Sequence, residues 1–193
     1  LEKVRSSLPE MPEEKLSRLV KEFNLNKKLA MQILDSDYLD LFEAVTKETE
    51  VPASFVVVTL TETLKSLERE GVEVEFLTER SLRDVFISLD QNLIVKEAVP
   101  DILTWLASHP EATVLDAVKA LELELFSQEE LWKIVGDKLK ENEESVKRMG
   151  VRAVSPLMGA IMREVRGRAR ADEVQRLLDK ALKELLEKHE DSH

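Results

Sequence analysis

The sequence predicts an all-α protein, a multi-helix bundle followed by a smaller helical tail domain. Three observations carry this expectation. With 5 Gly and 6 Pro in 193 residues, the chain is poor in turn formers, which favours helices joined by few loops. Apolar residues recur at three- and four-residue spacing through most of its length, the period of a helix with one buried face. A composition of 43% hydrophobic and 35% charged residues folds around a core instead of staying disordered. A chain of this size buries roughly 70% of its unfolded surface, enough for one sizeable domain or two small ones.

The elements follow in order. The run Leu8-Pro9-Glu10-Met11-Pro12 leads into a helix whose first turn suits Pro12 and whose positive end suits Glu13 and Glu14. Leu16, Leu19, Val20 and Phe23 are its apolar stripe. Asn26 is placed to cap a second helix bearing Leu29, Ala30, Ile33 and Leu34, and Leu41, Phe42 and Val45 face inward from a third over 37–49. The segment 52–69 contains the β-branched run Phe55-Val56-Val57-Val58-Thr59, which reads locally as a strand. Its apolar positions continue through Leu60, Leu64 and Leu67 until Gly71, however, and about 18 residues exceed a usual strand and make a buried helix. Val72–Phe76 alternates but is too short to found a sheet, so it is expected as an extended connector. Thr78 caps a helix with Leu82, Val85, Phe86 and Leu89. The pattern over 94–108 is helical again, with Pro100 either kinking the helix or starting a new one. Thr113 and Asp116 suit the start of a short helix ending near Leu121.

Ser127-Gln128-Glu129-Glu130 is a capping box. It opens a helix carrying Leu131, Ile134, Val135 and Leu139, and places a domain boundary between residues 125 and 126. A short helix over 142–149 ends at Gly150. Ser155-Pro156 supplies a cap and a first-turn proline for a helix expected to end at Gly167. Val174, Leu177, Leu178, Ala181, Leu182 and Leu185 mark an amphipathic closing helix, fraying beyond Lys188.

Charge is distributed unevenly. The chain has 28 basic and 39 acidic residues, a net charge of −11. Between Lys147 and Arg170, seven basic residues (Lys147, Arg148, Arg152, Arg163, Arg166, Arg168, Arg170) face one acid, Glu164. This stretch carries +6 while everything outside it sums to −17. Charge sorted this way suits either a polyanion-binding surface or a solvated helical face. On a helical wheel Leu157, Met158, Ile161, Met162 and Val165 fall within about 140°, a stripe facing the core. Gly159, Arg163 and Arg166 fall opposite, within about 60°. A mid-helix glycine costs up to ~1 kcal/mol relative to alanine, so Gly159 needs a reason. Either another helix packs over it, or a phosphodiester strand lies there while Arg163 and Arg166 reach its oxygens and Arg168 and Arg170 continue along the loop. The second alternative accounts for the glycine and the arginines together. Aromatic residues are absent from 147–170, which favours phosphate and shape recognition of folded RNA over stacking on a single strand.

Catalytic patterns are missing. Of three histidines, His189 and His193 lie near the C-terminus and His109 precedes Pro110; no partner motif accompanies any of them. Asp35, Asp37 and Asp40 do not make a calcium loop, since the fifth position is Leu39 and the sixth is Asp40 where a glycine is required. They are expected as helix-end residues. No phosphate-binding glycine loop, H-E-x-x-H zinc pattern or G-x-S-x-G elbow occurs, and the absence of cysteine removes thiolate chemistry and disulfides. Trp105 and Trp132 sit within apolar helical patterns and are expected as core anchors. No apolar run approaches the ~20 residues that span a bilayer, and the N-terminus lacks a signal-peptide core. The expectation is a cytoplasmic protein without a membrane partner.

Leu157-Met158-Gly159-Ala160-Ile161-Met162 followed by Arg166-Gly167-Arg168-Ala169 resembles the V/M-G-x-V-M-K-x-x-x-G-K-A pattern of the tail domain shared by the B and E subunits of tRNA-dependent amidotransferases and by a small stand-alone family. Leu8-Pro9-Glu10-Met11-Pro12-Glu13 is similar to the opening of those subunits' helical domain. Lys96-Glu97-Ala98-Val99-Pro100-Asp101-Ile102-Leu103 resembles a later helix, most of all in the archaeal E subunit of glutamyl-tRNA(Gln) amidotransferase. The resemblance implies a helical domain over 1–125 and a tail domain over 126–193. Together they would hold misacylated Glu-tRNA(Gln) for ATP-dependent conversion to Gln-tRNA(Gln). It implies tRNA(Gln) and an asparaginase-like D subunit as partners, with no DNA, and it assigns ATP and magnesium to a catalytic domain outside this chain. This chain would then hold no catalytic residue, no metal ligand and no cofactor. The implied tRNA-binding residues are Lys147, Arg148, Arg152, Gly159, Arg163, Arg166, Gly167, Arg168 and Arg170. Arg163 stands where the family often has lysine, which keeps the charge but changes hydrogen-bond geometry. The alternatives are the equivalent region of the B subunit and a non-catalytic helical protein-interaction module.

Overall fold

The structure, a computed structural model, describes residues 11–190. Leu8, Pro9 and Glu10 of the opening motif, and His193, lie outside the described residues. The described chain is helical, with no strand among its elements. It packs as two compact units. One comprises the chain to Gln91 together with Ile102–Val114; the other comprises Asn92–Asp101 and the chain from Leu115 onward.

In the first unit, α1 (Pro12–Glu22) has Pro12 at its first position, and the Glu14 carboxylate accepts the Met11 N–H at 3.3 Å. Asn26 caps α2 (Lys27–Leu34), its Oδ1 accepting from the Leu29 N–H at 2.9 Å. After α3 (Leu39–Glu48) the β-branched segment is helical, as its length predicts: α4 (Ala53–Val58) passes through a π turn (Thr59–Thr63) into α5 (Leu64–Arg69). The buried Thr61 hydroxyl donates back to the Val57 carbonyl at 2.8 Å, the kind of bond that distorts a helix locally. Val72–Phe76 departs from expectation. Instead of an extended connector, Val74–Phe76 forms a 3-10 turn. With no neighbouring strand to pair with, the Phe76 and Leu77 N–H groups donate to the Glu73 and Val74 carbonyls, at 3.1 and 3.0 Å, since backbone donors must find acceptors somewhere. Thr78 caps α6 (Glu79–Asp90), accepting from the Ser81 N–H at 3.0 Å. Leu19, Ile33, Phe42, Val45, Val56, Val57, Leu60 and Phe86 are buried at the centre. Asp35 and Asp40 are helix-end residues, at the C-cap of α2 and in the first turn of α3.

A 3-10 turn (Lys96–Ala98) leads into α7 (Val99–Ala107). Pro100 therefore lies in the first turn of a helix and starts it instead of kinking it. Trp105 is half-buried and stacks on His109, ring centroids 3.9 Å apart. The short α8 (Val114–Ala120) follows.

The remainder of the second unit comprises α9 (Gln128–Glu141), α10 (Glu143–Met149), a 3-10 turn (Gly150–Ala153), α11 (Val154–Glu164) and α12 (Ala171–Glu190). Helices α9, α11 and α12 pack pairwise around Leu131, Val135, Leu139, Val146, Leu157, Ile161, Val165, Val174, Leu178 and Leu182. Trp132 is partly buried against this cluster. The sequence boundary at 126 falls inside this unit, because Ala98 and Leu123 pack against Gly167 and so bring residues ahead of 126 to the tail core. Helix α11 begins two residues before the expected proline. The turn Gly150–Ala153 runs directly into it, so Ser155 is already helical and caps nothing. Pro156 is still within the first turn, where N–H groups have no intrahelical acceptor. Helix α12 continues through Glu190, past the fraying point expected at Lys188.

The capping box of α9 is formed in both directions. The Glu130 N–H donates to Ser127 Oγ at 3.2 Å, and the Ser127 N–H donates to Glu130 Oε2 at 2.8 Å. Hydrogen bonds from the Ser127 backbone and hydroxyl hold the Glu130 carboxyl below the usual glutamate range. The stabilisation linked to this shift is present above the unfolded glutamate pKa and is lost as pH falls through the depressed folded value. Independently of that shift, loss of the cap hydroxyl in Ser127→Ala is expected to cost about 1 kcal/mol at neutral pH. Chemical denaturation should give that loss, and the deficit should shrink when the titration is repeated in acid.

Candidate nucleic-acid interface

Of the predicted residues, Gly159 and Arg163 lie on the outer face of α11, which ends at Glu164 and not at Gly167, so that Arg166 stands just past its C-cap, Val165. Leu157, Ile161 and Val165 are buried and Met158 and Met162 half-buried, while Gly159, Arg163 and Arg166 are exposed, as the helical period requires. A Cβ built on Gly159 would have no neighbour within 4 Å. Among the described residues no second helix covers this glycine, so packing by a described helix does not account for it.

The nine predicted residues divide by what they touch. Arg148, Arg152, Arg163 and Arg166 are exposed and form no ion pair or hydrogen bond through their side chains with any described residue. Gly150, with φ +54 and ψ −133, turns the chain between Arg148 and Arg152 in a conformation open essentially to glycine alone. Lys147 is exposed but paired, its Nζ 2.7 Å from Glu143 Oε1 one turn earlier.

Gly167, Arg168 and Arg170 are engaged in the fold. Gly167 is buried with φ +70, and a Cβ there would lie 3.0 Å from Leu123 Cδ2 and 3.6 Å from Ala98 Cβ. Arg168 Nε donates to the Glu124 carbonyl at 2.7 Å, and its guanidinium lies 3.8 Å above the centre of the Phe126 ring. The Phe126 N–H in turn donates to the Arg168 carbonyl at 3.0 Å. Arg170 forks onto Asp172, with Nε to Oδ1 at 3.1 Å and Nη2 to Oδ2 at 3.2 Å, while Nη1 donates to Asn92 Oδ1 at 3.0 Å. Burial pushes the Asp172 carboxyl up, but the hydrogen bond and charge of Arg170 outweigh it and hold the group below the usual aspartate range. Glu164, the one acid of the stretch, is turned toward α9 and lies 3.1 Å from Lys138 Nζ. Hydrogen bonds to Glu141 and Glu164 raise the Lys138 pKa.

Sequence reasoning did not identify Phe126, Asn92 and Asp172 as partners of these arginines. Asp172 stands two residues from Arg170 and was legible as a local pair. Asn92 is 78 residues away and carries no local signal beyond its own positive φ of 56°.

The free arginines offer planar, permanently charged donors suited to phosphate oxygens, and the bare Gly159 backbone lets a ligand approach the helix closely. Among the described residues, no three His, Asp or Glu side chains converge where a metal ion could be held, and no described helix is long and apolar enough to cross a membrane.

The GatB domain family model matches residues 40–182. Relatives similar to the chain carry the name of the E subunit of glutamyl-tRNA(Gln) amidotransferase. That of Methanococcus maripaludis (strain C7) is 39% identical over 185 residues, covering 95% of this chain and 29% of the relative. That of Methanocaldococcus jannaschii is 36% identical over 186 residues, covering 96% and 30%, and that of Thermococcus sibiricus is 36% identical over 184 residues, covering 94% and 28%. The chain thus spans about three tenths of the length of these curated relatives, corresponding to their C-terminal portion.

Proposed function

Because the chain belongs to the GatB domain family, we propose that it is the tRNA-binding C-terminal portion of the E subunit of an archaeal-type glutamyl-tRNA(Gln) amidotransferase. In this role it positions misacylated Glu-tRNA(Gln) for conversion to Gln-tRNA(Gln). The observation that carries this is the set of four arginines, Arg148, Arg152, Arg163 and Arg166, left without partners on a chain whose net charge is −11. Unpaired cations concentrated on an acidic protein attract a polyanion locally while the remainder repels it, which confines contact to one surface. Phosphate contacts of this kind fix register and orientation and carry no base identity. Gly167 and Arg168 support the surface from within the fold, while Lys147 and Arg170 are exposed but already paired with Glu143 and Asp172. The reading also includes ATP- and magnesium-dependent chemistry. That chemistry, and the asparaginase-like D subunit as partner, are proposed for the longer protein.

A gel-shift titration with folded tRNA(Gln) and with an unrelated RNA duplex tests the proposal. Binding of tRNA at low salt, falling linearly on logarithmic axes as salt is raised, is expected for phosphate contacts. If neither RNA shifts at low salt, the chain is a protein-interaction module and the RNA assignment fails.

A further inference from the structure

The loop between α11 and α12 presents one free arginine between two fixed points. The Arg168 N–H donates to the Val165 carbonyl at 2.8 Å, closing a four-residue turn with Arg166 and Gly167 at its centre. Gly167 has a positive φ, as the third residue of a type II turn does. Val165 is fully buried in the tail core. At the other end the turn is held from outside it: Phe126 donates its N–H to the Arg168 carbonyl at 3.0 Å, and Arg168 returns its Nε to the Glu124 carbonyl at 2.7 Å while its guanidinium covers the Phe126 ring.

We propose that Phe126 and Arg168 form a clasp that fixes this turn and so aims Arg166, which makes Arg168 a positioning residue and not a phosphate contact. This rests on the outer face of α11 being an RNA surface. Arg168 carries the same charge as its neighbours, but one edge of its guanidinium system is committed to a carbonyl and one face to a ring. A lysine at this position would keep the charge while losing the planar stack and the Nε bond. The two roles therefore respond differently to the same substitution.

The test uses the full chain and folded tRNA(Gln) over a range of salt. Arg166→Gln is expected to reduce the slope of log affinity against log salt by about 0.7–0.9, the share of one phosphate contact. Arg168→Lys and Phe126→Leu are expected to lower affinity about three- to tenfold, and in either background the further cost of Arg166→Gln should shrink, as coupled residues require. The clasp has its own readout in amide hydrogen exchange: protection of the Phe126 and Arg168 amides should fall in both variants. Full affinity in Arg168→Lys, with a slope loss of about 0.7–0.9 in Arg168→Gln, would make Arg168 a phosphate contact and overturn the proposal. An undiminished cost of Arg166→Gln in the Phe126→Leu background would overturn the aiming role. Unchanged exchange protection would overturn the clasp with or without RNA. Absence of tRNA binding by the unmodified chain would refute the RNA surface itself, and the aiming of Arg166 at phosphate with it.

Discussion

Replacing Arg163 and Arg166 together by glutamate is expected to weaken tRNA binding about a hundredfold or more. A hydrogen bond to a charged group contributes about 1.5–3 kcal/mol, and about 1.4 kcal/mol is tenfold in affinity. Two lost contacts therefore account for the hundredfold, and repulsion between the new carboxylates and phosphate adds to it. The salt slope should fall by about 1.4–1.8, since two fewer counterions are released. Both side chains are exposed and have no partner among the described residues, so the thermal midpoint should scarcely move. That combination separates a binding defect from misfolding. Filter binding across salt concentrations, with a melting curve on the same preparations, is the measurement. Unchanged affinity and slope would remove these two residues from the interface.

Gly167→Val is expected to destabilise the second unit by about 2–5 kcal/mol. A β-branched residue at a positive φ costs about 1–2 kcal/mol, and a side chain forced into filled space costs about 1–3 more. Here the first added carbon already lies 3.0 Å from Leu123 Cδ2, and the two further methyl groups must displace Leu123, Ala98 or the turn itself. Urea denaturation monitored by Trp132 fluorescence should register the loss, because Trp132 packs against the tail core. Wild-type stability in this variant would show that the turn can relax to a negative φ and that Gly167 is dispensable to the fold.

Much of the fold was legible because its signals are local. Asn26, Thr78 and Ser127 each sit at a helix start and accept from the backbone N–H three residues on, a relation contained within four residues of sequence. The period of Leu157 and Ile161 placed one face of α11 in the core and left Gly159 and Arg163 outside, and buried Val165 and exposed Arg166 follow just past its end. Other features depended on information the local pattern does not hold. Val72–Phe76 alternates like a strand, but alternation stabilises nothing without a pairing partner, and the segment turned instead. Ser155 has the chemistry of a cap, yet the preceding 3-10 turn had already started the helix. Within the basic stretch, sequence counted seven cations as equivalent. Their inequality depends on Phe126, Glu124, Asn92 and Glu143, three of them well separated in sequence from the arginines they hold.

Gly159 shows the helix from the side of foldability. A sequence selected only to fold would place alanine at an exposed mid-helix position with open space around it, gaining up to ~1 kcal/mol of helix propensity without meeting any neighbour. Here the local preference and the fold disagree, and no described residue resolves the conflict. Such unresolved frustration concentrates where a chain answers to something other than its own stability. Helix α11 is in this sense locally less stable than its surroundings would permit, and on the proposed function the missing half of its design is the RNA backbone.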